Sequence, residues 1–187
     1  MIKNTFFLLS VVSLLVACHS HSEFTIEKGR VGPITKDTRV NELKALFAKD
    51  SVVAVLNDDK EAVADTNNFY KEDDQYMIYQ KGGKHLLTII PIELNDSSHI
   101  KSVEIFDNRY KTKKGISLYS PFKDVYAAYK LSITNTILSA HIDIDELNAT
   151  MSIDKKDIGI NEFNRDNIKP EQIPDLTKIK HFTIWFN

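Results

Sequence analysis

The chain carries a single thiol, Cys18, placed directly after a mostly apolar run at residues 6–17. A thiol is the side chain best suited to acylation, metal binding or disulfide formation, and with no second cysteine an internal disulfide is excluded. Of the six histidines, His19 and His21 sit in a short polar stretch after Cys18. His85, His99, His141 and His181 fall within or beside strand-like runs and share no ligand spacing, so each is expected to be structural or solvent-facing. Two acidic groups, Asp58-Asp59 with Glu61 and Asp143-Ile144-Asp145-Glu146, lack the central glycine of a calcium loop and fit turn chemistry better. There is no Gly-x-Ser-x-Gly elbow, no His-Glu-x-x-His and no Gly-rich phosphate loop. No catalytic residue, metal ligand or cofactor site is therefore expected.

Lys3 supplies a positive n-region ahead of the apolar run, which Ser10 and Ser13 alone interrupt. The run is too short for a permanent transmembrane helix and has the length of a signal-peptide core. Its ending, Leu15-Val16-Ala17-Cys18, resembles the lipobox of bacterial lipoproteins. That resemblance implies cleavage before Cys18, lipidation of Cys18 with palmitate-type acyl chains, and residence in the cell envelope. The domain reading that follows is a signal peptide at 1–17, a tether at 18–23, and folded units at 24–110 and 111–187. Surface-exported relatives of this kind often carry an acidic stretch after the cysteine. Only Glu23 stands there, which points to the periplasmic face of the outer membrane.

Removing residues 1–17 leaves about 170, enough for one ordinary domain that needs no staple. The full chain has 24 Lys and Arg against 26 Asp and Glu, a net charge of −2, with both signs interspersed. That balance excludes the electrostatic footprint of a nucleic-acid binder. The expected partners are the membrane, through the acyl chains on Cys18, and an unidentified envelope protein. Five residues separate Cys18 from Phe24 and reach at most roughly 17 Å, so the body must sit close to the bilayer.

Any candidate surface must be positioned by elements that recur along the chain. Ile34-Thr35-Lys36-Asp37-Thr38, followed by Val40, Leu43 and Phe47, aligns with Ile116-Ser117-Leu118-Tyr119-Ser120, followed by Phe122, Val125 and Tyr129. Thr38 and Ser120 are placed as N-caps and Pro121 as the first residue of a helix. Each apolar spacing predicts a short helix of about ten residues with one buried face. Ile100 to Phe106 likewise matches Ile179 to Trp185, both alternating as half-buried strands. Strands are expected between them at 51–56, 75–80 and 85–92, then at 131–135, 137–144 and 149–153. The fold class is α+β: two tandem helix-plus-antiparallel-sheet repeats forming one continuous sheet with the helices on one face. This layout resembles the secreted β-lactamase inhibitor proteins and, more distantly, the small lipoproteins of the outer-membrane assembly machinery. No functional residue carries over from either family.

Two places depart from the repeat. Residues 57–74 are rich in acid and include Phe69-Tyr70, so Asp58, Asp59, Phe69, Tyr70, Asp73 and Asp74 form the candidate partner-binding surface. Residues 155–177 make a second long excursion, whose Ile158, Ile160, Phe163, Ile168, Ile173 and Leu176 suggest a lid packed over the sheet. A small basic group, Lys111, Lys113 and Lys114 between Tyr110 and Tyr119, together with Arg109, joins the two units; it is expected to be a solvated inter-repeat linker, with contact to anionic headgroups as the alternative. The function these features support is a non-enzymatic protein-binding module of the inhibitor, immunity or assembly-accessory kind. The alternative is a ligand-binding or hydrolytic lipoprotein with its site between the repeats.

Overall fold

The computed structural model describes residues 23–56, 74–161 and 167–186. Cys18 and the lipobox, together with Asp58, Asp59, Phe69, Tyr70 and Asp73, lie outside the described residues. The chain is α+β and mostly sheet. An eight-stranded antiparallel sheet runs β4 (Ser51–Val55), β5 (Gln75–Tyr79), β6 (His85–Pro91), β7 (Ile100–Ile105), β12 (His181–Trp185), β11 (Ala149–Asp154), β10 (Ser139–Ile144) and β9 (Ser132–Asn135). The two central strands, β7 and β12, pair antiparallel with Thr183 opposite Glu104 and Ile184 opposite Val103.

Alternation decides which face of each strand is buried. Ile78, Leu87, Ile89, Val103, Ile105, Ile142, Met151, Phe182 and Ile184 lie on one side and enter a single apolar cluster spanning the whole sheet. The same cluster takes Val40, Leu43 and Phe47 from one helical segment, and Phe122, Val125 and Tyr129 from the other. The β5–β6 hairpin turns through Gly82 and Gly83, whose φ of 103° and 88° other residues rarely adopt.

The helices are shorter than the spacing predicts. The first is a 3-10 turn at Val40–Glu42 leading into α1 (Leu43–Leu46), and the second is α2 (Phe122–Ala128). Thr38 and Ser120 are not their N-caps; Arg39 and Pro121 occupy those positions. The hydroxyls are engaged upstream instead. Thr35 N donates to Thr38 Oγ1 at 2.9 Å, and Ser117 N donates to Ser120 Oγ at the same distance. The first-turn amides are satisfied by loop carbonyls. Val40 N and Asn41 N donate to Ser98 O and Asp96 O, while Phe122 N and Lys123 N donate to Thr177 O and Asp175 O. The donors in the two sets are 82 residues apart and the acceptors 79 apart.

A second sheet, of which the sequence shows only the strand-like alternation of Phe24-Thr25-Ile26, has the order β3 (Ile34–Thr35), β2 (Arg30–Val31), β1 (Thr25–Glu27), β8 (Lys111–Thr112). Its tight turn depends on Gly32, which has φ +55°; a Cβ there would stand 2.6 Å from Glu23 O. Arg109 is not part of a solvated linker. The Asp107 carboxylate is fully buried and receives Arg109 Nε at 2.8 Å, Arg109 N at 2.9 Å and Lys84 Nζ at 3.0 Å. Arg109 also donates to Gln80 Oε1 and stacks over Phe24, while Tyr110 is buried beside that ring. Burial alone would raise the Asp107 pKa, but the hydrogen bonds from Arg109 and Lys84 hold it down at about 2.

Candidate functional site

The sheet face opposite the helices is where the C-terminal half concentrates polar chemistry. On β10, β11 and β12 the apolar members face the core, so Ser139, His141, Asp143, Thr150, Ser152, Asp154, His181, Thr183 and Trp185 stand on the other side. Register then sets them in rows. His141, Ser152 and His181 are directly opposed across three strands. Asp143, Thr150, Thr183 and Glu104 form the next row across four. Between them lies a shallow groove of about 480 Å³, with the 62% exposed Leu138 at one rim.

Hydrogen bonds fix this groove. Trp185 Nε1 donates to Thr150 Oγ1 at 3.1 Å, and that hydroxyl donates to Asp143 Oδ1 at 2.9 Å. The indole is therefore tied across β12, β11 and β10 before any ligand arrives, which lowers the ordering cost of binding. His181 Nδ1 lies 2.8 Å from Glu104 Oε1. That bond, followed by the carboxylate charge, raises the His181 pKa although partial burial opposes it. Asp154 sits between Lys156 and Lys180 at 3.6 Å from each, and Lys180 reaches Asp157 at 2.9 Å.

This arrangement presents hydrogen-bond acceptors and an oriented aromatic ring. Glu104, Asp143 and Asp154 accept, and the pairing through Nδ1 leaves His181 Nε2 as the second bonding position of the imidazole. It does not present an activated nucleophile. Ser152 lies opposite His181, yet its hydroxyl hydrogen-bonds neither imidazole, and it occupies a regular strand and not a sharp turn. Among the described residues, no group of three His, Cys, Asp or Glu side chains is close enough to hold a metal ion.

Sequence reasoning did not bring these groups together. Asp74, the described member of the expected acidic surface, is half-buried just before β5 and does not line the groove. His99 is in a backbone bridge with Arg39, within its own half of the chain. His85 stacks between Tyr79 and Phe106 at 4.8 and 3.9 Å, and burial lowers its pKa. The available signal was that His141, Asp143, His181 and Trp185 all hold out-facing positions of alternating runs. In the excursion at 155–177, Ile158, Ile168 and Ile173 are buried in the core cluster as expected, while Leu176 is 72% exposed and Phe163 lies outside the described residues.

No family model matches the chain, and no curated protein matches it. Among solved structures it is similar to the crystal structure of the uncharacterized protein yfeY from Escherichia coli, at 14% identity and a TM-score of 0.47. That similarity covers 88% of this chain and 99% of the other.

Proposed function

We propose that this protein is a lipid-anchored envelope protein, held through Cys18 at the periplasmic face of the outer membrane, that acts as a non-enzymatic binding module. It is built as a tandem duplication, residues 24–110 and 111–187, whose halves share one sheet and bury their helices on one side of it. The offset-matched turns and helix-entry hydrogen bonds support the duplication. The observation that carries the binding role is the groove on the opposite face, where Trp185, Thr150 and Asp143 are locked by a hydrogen-bonded chain. Oriented aromatic rings with flanking acceptors are what interface hot spots use.

A pull-down from detergent-solubilised membranes tests it, with wild type beside the Asp143→Ala/His181→Ala variant. An envelope protein enriched by wild type and lost by the variant is expected. Identical captures would overturn the role given to this face.

One observation favours the second reading, a ligand site between the halves: Glu104 belongs to the first half and His181 to the second. A shift of the His181 imidazole resonances on adding a protein-free envelope extract would favour that reading over a protein partner.

A further inference from the structure

The chain enters its folded body beside a basic hollow. Phe24 O accepts the amide of Lys111 at 2.9 Å, and Thr25 pairs with Lys111 where β1 and β8 run parallel. Lys111, Lys178 and Lys180, with Asn108, Ser120 and Tyr119, line an open concavity of about 800 Å³. Among the described residues, no carboxylate lines it. Of the basic group between the halves, Arg109 is bound to Asp107, Lys113 to Glu27 and Lys114 to Glu146, whereas Lys111 faces this hollow. Lys180 is shared with Asp157, so Lys111 and Lys178 carry most of its positive character.

Tyr119 adds a second, independent feature. Its backbone has φ +67°, a left-handed conformation sterically costly for a ring-bearing residue, and its side chain stays 51% exposed at the rim. The corresponding turn at Thr35 to Thr38 closes with the same pair of hydrogen bonds, yet it has Asp37 at the matching place and no positive φ. The second turn thus exposes an amphipathic aromatic where the first carries an acid. Tyrosines of this kind favour the membrane–water interface.

We infer that this hollow is the membrane-docking surface of the protein, with Lys111 and Lys178 engaging anionic phospholipid headgroups and Tyr119 entering the interface. The inference rests on the lipid-anchored reading for its geometry. The five residues between Cys18 and Phe24 reach at most roughly 17 Å, which places Lys111 within reach of the bilayer that an acylated Cys18 would enter. Opposite charge and a short tether then act together, because the acyl chains raise the local headgroup concentration that the lysines meet.

The test uses the mature chain carrying Cys18→Ser, so that no acyl chain contributes, and sedimentation with vesicles of phosphatidylcholine with or without phosphatidylglycerol. Binding is expected only with phosphatidylglycerol, falling as salt rises. Lys111→Glu/Lys178→Glu should weaken it by about tenfold or more, and Tyr119→Gly should weaken it without salt dependence. Thermal melts of each variant near that of wild type exclude unfolding as the cause. Equal binding to both vesicles, no binding to either, or an unchanged double variant would overturn the inference. A further arm uses inorganic phosphate. Saturable amide shifts at Lys111 and Lys178 without vesicle binding would assign the hollow to a soluble anion instead. Because the protein tested is unacylated, these outcomes are independent of whether Cys18 is lipidated in the cell.

Discussion

His181 and Glu104 are joined at 2.8 Å across the two central strands, so the last strand of the chain is fastened to the strand that ends its first half. The pair favours the imidazolium, and the His181 pKa lies above its ordinary value. Stabilisation from a raised pKa is complete below the unfolded value, about 6.5, and fades as pH rises through the folded one. Glu104→Gln should bring the His181 titration, followed by NMR, back down toward 6.5. An unmoved titration would mean the contact is not made in solution.

Asp107 has the opposite sign. Its carboxyl is held down at about 2 by Arg109 and Lys84 against a desolvation that works the other way. The stabilisation is present above the unfolded pKa, near 4, and is lost as pH falls through about 2. A displacement of this size corresponds to about 2 kcal/mol, and Asp107→Asn should cost a comparable amount at neutral pH. Denaturant melts at neutral and acid pH check it; the variant should lose much of wild type's acid sensitivity between pH 4 and 2.

Phe47 and Tyr129 are 5% and 6% exposed at the ends of their helical segments, and each donates its amide to the residue four earlier. Phe47→Ala should destabilise by about 3–5 kcal/mol. Tyr129→Ala should fall at the lower end of that range, although it also loses the Lys114 ammonium seated 4.3 Å over its ring. A melt like that of wild type for either variant would contradict its place as a core anchor.

Val55 and Gln75 are directly opposed in the β4–β5 pairing, so a short turn can join the two strands. Replacing residues 58–73 with a Gly-Ser turn should therefore leave the melting temperature nearly unchanged, since closure entropy varies slowly with loop length. Marked destabilisation would show instead that the acidic segment contributes to the fold.

The strands were the most legible part of the sequence, because their alternation is local. Residues 51–56 were expected and Ser51–Val55 is found; 149–153 were expected and Ala149–Asp154 is found. Helix entry is not legible in the sequence because Thr38 and Ser120 have two uses, and tertiary loop carbonyls from Asp96, Ser98, Asp175 and Thr177 accept the first-turn amides. The strand expected from Ile137 begins only at Ser139, leaving Ile137 and Leu138 each 62% exposed. Of the small sheet only the alternation at Phe24-Thr25-Ile26 is legible, because its other strands have two residues each and carry no periodicity to read. The groove was least visible, since Glu104 and His181 are 77 residues apart and only the register of β7 on β12 makes them neighbours.

The proposed periplasmic placement, and the tether geometry that would bring the basic hollow to the bilayer, both depend on Cys18 being acylated. Metabolic labelling with a palmitate analogue, followed by gel fluorescence and membrane fractionation, tests this most directly. Wild type should incorporate the label and sediment with membranes, and Cys18→Ser should lose the label and accumulate as an unprocessed or soluble chain. Equal labelling of both proteins, or wild type left unlabelled in the soluble fraction, would contradict a lipid anchor at this position.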